Sequence, residues 1–101
     1  MSNNLLRPTA RETVIAVVED LTQDWGLELD GPVEAQMLLS ADLDFASVDI
    51  IQLCVALEQC YGRRFGFQDL LMKDGSYVGD LSLGQFADFI DIQLANERLT
   101  T

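Results

Sequence analysis

The sequence predicts an all-α fold: a small four-helix bundle of three main helices and one short one, with a long loop after the first helix. Apolar residues recur at three- and four-residue steps in three separate stretches, each opened by a capping residue or closed by a glycine. No stretch alternates polar and apolar residues in the manner of a half-buried strand. At 101 residues the chain suits one domain with one modest core. Residues 9–96 are expected to form that domain, with residues 1–8 and 97–101 as short polar tails.

The first helix is expected from about Ala10 to Trp25. Thr9 is its cap, and Glu12 stands at the third helical position to complete a capping box. Val14, Val17, Val18, Leu21 and Trp25 make one inward stripe, and Gly26 closes the helix. From Leu27 to Asp44 the chain carries Gly31 and Pro32, which break a helix. It also carries Leu27, Leu29, Val33, Met37, Leu38, Leu39 and Leu43. A loop with that apolar content is expected to pack along the domain, with a helical turn near Val33 to Leu38.

The second helix is expected from Ser47 to about Tyr61, with Ser47 as a candidate cap. Ile50, Leu53, Cys54, Leu57 and Tyr61 form its inward stripe, while Val48, Ile51 and Val55 form a second apolar strip rotated away from it. A helix apolar on two sides is either deeply buried or touches something beyond its own core. Gly62 ends it, and Arg63 and Arg64 suit the negative end of its dipole. A short helix is expected around Gln68 to Leu71, then a turn at Lys73 to Ser76. Ser82 and Gln85 announce the last helix, about Leu83 to Leu94, with Phe86, Phe89, Ile90 and Leu94 facing inward.

Composition removes several function classes. The net charge is −11, with only six Lys and Arg, so nucleic acid and anionic membrane surfaces are unfavourable partners. Partners with basic docking patches are favoured instead. There is no histidine, the commonest general base and zinc ligand. Serine-hydrolase and cysteine-protease constellations therefore fail, and no enzymatic activity is expected. Cys54 and Cys60 stand six residues apart on one helix, about 600° around it, and are expected to be buried, unbridged thiols. No segment has the length and apolarity of a signal peptide or membrane span, which predicts a cytoplasmic protein.

Asp42, Asp44 and Asp49 surround Ser47, but a calcium loop of the EF-hand type needs a glycine at its sixth position, where Ser47 stands. No metal site is expected; the acids suit a helix N-terminus or a docking surface. By position alone Ser47 is a helix cap, worth about 1 kcal/mol. The same place also favours an anion covalently attached to the hydroxyl.

Asp42-Leu-Asp-Phe-Ala-Ser47-Val-Asp-Ile-Ile-Gln-Leu53, with Ala56-Leu57-Glu58 and Tyr61-Gly62, resembles the acyl and peptidyl carrier proteins. In that family an Asp-Leu pair precedes a serine by four or five positions, and the following helix closes on an aromatic residue and glycine. Val78 to Phe86 is similar to the family's turn into its last helix, so the resemblance spans roughly residues 12–94.

The resemblance implies a 4′-phosphopantetheine arm on Ser47, installed from coenzyme A by a phosphopantetheinyl transferase. It also implies acyl or aminoacyl cargo carried as a thioester, with loading ligases and downstream synthases or transferases as partners. The cargo would belong to fatty-acid, polyketide or related secondary-metabolite synthesis. Asp42, Asp44, Val48, Asp49, Ile51, Val55 and Glu58 would then be the docking residues of a monomeric carrier.

Three features depart from the family pattern. Ala46 replaces the usual Asp before the serine, Gln52 and Gln59 replace frequent glutamates, and residues 72–80 form a longer loop. The alternatives are an unmodified, carrier-like scaffolding subunit, or an aminoacyl or peptidyl carrier of a nonribosomal-peptide type of pathway.

Overall fold

The computed structural model describes residues 9–26, 31–73, 76–77 and 79–99, with residues 73, 77 and 97–99 described as backbone only. The architecture is the expected small helical bundle, with helix α1 (Ala10–Thr22) lying against α2 (Ser47–Tyr61) and α4 (Leu83–Leu99). Helix α3 (Gln68–Leu71) is a single turn.

Both predicted capping boxes form. Glu12 N–H donates to Thr9 Oγ1 at 3.1 Å while Thr9 N–H donates to Glu12 Oε1 at 2.8 Å. At α4, Gln85 N–H donates to Ser82 Oγ at 3.2 Å and Ser82 N–H to Gln85 Oε1 at 2.8 Å.

Helix α1 stops at Thr22, short of the expected Trp25. The buried Thr22 hydroxyl donates to the Val18 carbonyl at 2.8 Å, a bond that competes with the backbone ladder. Residues 23–26 then turn outward, with Gly26 at φ +70°. Trp25 therefore leaves the inward stripe: the residue is 39% exposed and its ring packs on Phe45, centroids 5.0 Å apart. Helix α4, by contrast, continues to Leu99, beyond the expected end at Leu94.

The long loop is part of the core. Val33, Leu39, Leu43 and Phe45 are buried, and the loop's backbone pairs with the entry to α4. Leu39 N–H donates to Leu81 O at 2.9 Å, Leu83 N–H to Met37 O at 3.1 Å and Gly84 N–H to Ala35 O at 2.7 Å. A Cβ on Gly84 would meet that Ala35 carbonyl at 3.3 Å, so the close approach favours glycine. The expected helical turn near Val33 to Leu38 is a single turn, with Met37 N–H on Glu34 O at 3.1 Å. Leu27 and Leu29 lie outside the described residues.

One element was not expected. Strand β1 (Met72–Lys73) pairs antiparallel with β2 (Ser76–Tyr77), Met72 opposite Tyr77. Two-residue strands are too short to show alternation, and they fall within residues 72–80, where only a turn was expected. A chain of rings links α2 to α4. Tyr61 meets Phe65 edge-on at 5.2 Å, and Phe67 lies 5.5 Å from Phe65, Phe86 and Phe89. Among the described residues no helix is long and apolar enough to cross a membrane.

Candidate functional site

The run from Leu39 to Ala46 delivers the chain to α2 through a tight, fully bonded turn. Asp42 N–H and Leu43 N–H donate to Leu38 O, Asp44 N–H to Ser40 O, and Phe45 N–H to Leu39 O. Asp42 returns the favour to the start of the turn, its carboxylate accepting Leu38 N–H at 2.7 Å. Asp44 is left-handed, with φ +62°, a conformation that aspartate tolerates better than most residues. Asp44→Val puts a β-branched side chain there and is expected to destabilise the domain by about 1–3 kcal/mol in denaturant melts. An unchanged midpoint would show that the turn relaxes freely.

Ser47 is the first helical residue of α2, not its cap. The cap is Ala46, whose side chain offers no oxygen, and half of a capping box remains: Asp49 Oδ2 accepts Ala46 N–H at 2.8 Å. A one-residue offset produces the correction, because the capping backbone conformation (φ −89°, ψ 172°) falls on Ala46. The Ser47 hydroxyl is exposed and makes no hydrogen bond among the described residues. The first backbone N–H groups of α2 lie beside it and favour negative charge there.

The second apolar strip of α2 faces outward. Val48, Ile51 and Val55 are 60%, 50% and 47% exposed, while Leu53, Cys54 and Leu57 fill the core. Two clefts flank this strip. One, of about 280 Å³, is lined by Ser47, Ser40, Phe45, Ile50, Leu71 and Asp80, among others. The other, of about 670 Å³, runs along Ile51, Val55, Phe67, Leu71 and Met72. Ile51 and Leu71 border both, so apolar surface continues from Ser47 along α2.

The acidic candidates divide by what they hold. Asp42 and Asp49 brace the turn and the helix start, as above. Glu58 Oε2 accepts Phe65 N–H at 2.9 Å and fixes the exit from α2. Asp44 is exposed beside Ser47. Asp80, which sequence reading missed, accepts backbone N–H groups from Ser40, Ala41 and Leu81 at 2.9, 2.8 and 3.0 Å. Desolvation pushes its carboxyl up, but the three donors outweigh that and hold it below the ordinary carboxylate value.

The two cysteines differ. Cys54 is buried, and burial, followed by the nearby Glu58 carboxylate, pushes its thiol up to about 12. Cys60 is exposed, against expectation, because its position on α2 turns it away from the core. Under native conditions an aromatic disulfide reagent is expected to label Cys60 promptly and Cys54 only after unfolding. Prompt labelling of both would contradict this placement. Among the described residues no group of three or more His, Cys, Asp or Glu side chains could hold a metal ion.

No family model, curated protein or solved structure matches the chain.

Proposed function

We propose that this chain is a discrete carrier protein that bears 4′-phosphopantetheine on Ser47 Oγ and holds acyl cargo as a thioester. The observation that carries this reading is the free Ser47 hydroxyl at the start of α2, which the helix does not use as its cap. Asp49 has taken over part of the capping, so the serine is available for other chemistry.

The site suits the group. The hydroxyl is exposed to a modifying enzyme, and the helix N-terminus favours the phosphodiester's negative charge. In the modification, Ser47 Oγ exchanges its proton for a bond to phosphorus, and adenosine 3′,5′-bisphosphate leaves from coenzyme A. When bound, the group supplies the thiol on which cargo is carried. The chain's own residues present and recognise. The braced turn fixes the Ser47 position, and Val48, Ile51 and Val55 offer apolar contact beside it. Exposed acids such as Asp44 attract basic partner surfaces. Tethering cargo to a docked carrier raises its local concentration at each partner site.

Incubation with coenzyme A and a broad-range phosphopantetheinyl transferase is expected to add one arm to the wild-type chain and none to Ser47→Ala, read by intact mass. A second reading, an unmodified scaffolding subunit, is favoured by one feature: Ala46 supplies no carboxylate beside the serine. That reading predicts a stable partner complex that forms equally well with wild type and Ser47→Ala.

A further inference from the structure

We propose that Asp80 is the positioning residue of the Ser47 site, its carboxylate holding the turn that presents the Ser47 hydroxyl. This rests on Ser47 being the attachment residue.

From Leu39 to Ala46 every backbone N–H has an acceptor. Four are satisfied within the turn itself, Leu39 by the Leu81 carbonyl, and Ala46 by Asp49. Ser40 and Ala41 are the two N–H groups for which the turn has no carbonyl, and Asp80 takes both. The carboxylate is itself fixed, since Oδ1 also accepts Leu81 N–H at 3.0 Å. Asp42 and Asp49 act over four and three residues; Asp80 reaches across 40. It is therefore the side chain that ties this turn to the entry of α4.

Two further features make the tie consequential for Ser47. Asp80 and Ser40 line the same cleft as Ser47, so the clamp forms part of that cleft's wall. Asp44, held at φ +62°, stands between the clamp and the serine. A left-handed non-glycine residue persists where its surroundings over-determine it, and loosening the clamp lets it relax. Asp80→Asn keeps size but loses charge, and its amide nitrogen is a donor facing donors. The turn then loses charge-assisted bonds while the buried Leu39, Leu43 and Phe45 keep the fold.

The test compares wild type, Asp80→Asn and Asp69→Asn, the last being an exposed acid on α3 that removes the same charge outside the turn. Initial rates of arm transfer from coenzyme A are measured against carrier concentration at a temperature where circular dichroism shows every variant folded. Backbone hydrogen exchange is followed over residues 38–47. Asp80→Asn is expected to exchange faster at Ser40 and Ala41. Its kcat/KM for the transferase is expected to fall about tenfold, through KM. Asp69→Asn is expected to stay within about twofold of wild type.

A merely structural role would lower the melting temperature and leave KM unchanged, so wild-type KM and kcat in folded Asp80→Asn overturn the proposal. An equal rise in KM for Asp69→Asn overturns it too, by assigning the effect to net charge. If wild type itself gains no arm, the Ser47 reading fails first, and Asp80's role in that site falls with it.

Discussion

Phe86→Ala is expected to destabilise the domain by about 3–5 kcal/mol. Phe86 is fully buried on α4, and its ring lies 5.5 Å from Phe67, which also contacts Phe65 and Phe89. Truncation removes the ring's transfer free energy and leaves a cavity among rings anchored on α2, α4 and the segment between them. Those rings come from separate elements and collapse into the space only partly. A domain of this size has about 5–15 kcal/mol of total stability. The variant is therefore expected to approach the folding threshold, with the urea midpoint displaced and the m-value unchanged. A loss under about 1 kcal/mol would mean that the aromatic chain is not a structural core.

Val55→Asp is expected to do the opposite: to leave stability nearly untouched while strongly weakening partner turnover. Val55 is 47% exposed on the outward strip of α2, and valine and aspartate have similar helix propensities. The stability change is expected within about 0.5 kcal/mol, or roughly 2–4 °C in Tm. Partner turnover is expected to suffer because a charge is placed where the proposed docking face is apolar, and it must be desolvated on association. Leu53, two residues earlier, is fully buried and faces the core. Leu53→Ala is the matched control, lowering Tm by removing core contacts. A large fall in Tm for Val55→Asp would place Val55 in the core; unchanged turnover would remove the strip from the docking surface.

Local features of this fold were legible in the sequence. The Thr9–Glu12 and Ser82–Gln85 capping boxes act over three residues and form as the pattern indicates. The inward stripe of α2 and its second, outward strip follow from helical periodicity, and both lie where the spacing puts them. The apolar loop likewise proved to be core, because Val33, Leu39 and Leu43 have nowhere else to go.

The misses arise where a non-local or single-angle choice decides. Ser47 and Ala46 differ by one position, and a backbone angle at Ala46 settles which of them caps α2. The left-handed Asp44 is invisible to periodicity. Asp80 reaches Ser40 across 40 residues, and no local spacing announces such a contact. Phe65 and Phe67 stand outside any helical period, so their link to Phe86 needed the fold. Cys60 was the avoidable miss. The rotation that separates it from Cys54 already placed the two thiols on different sides of α2.

Among the chain's five serines, Ser47 is the proposed site of arm attachment. Top-down fragmentation of the chain, isolated after co-expression with a phosphopantetheinyl transferase, tests it most directly. One phosphopantetheine per chain is expected, with every fragment that carries the added mass containing Ser47. An unmodified chain, or an added mass that maps to Ser40, Ser82 or Cys60, would contradict it.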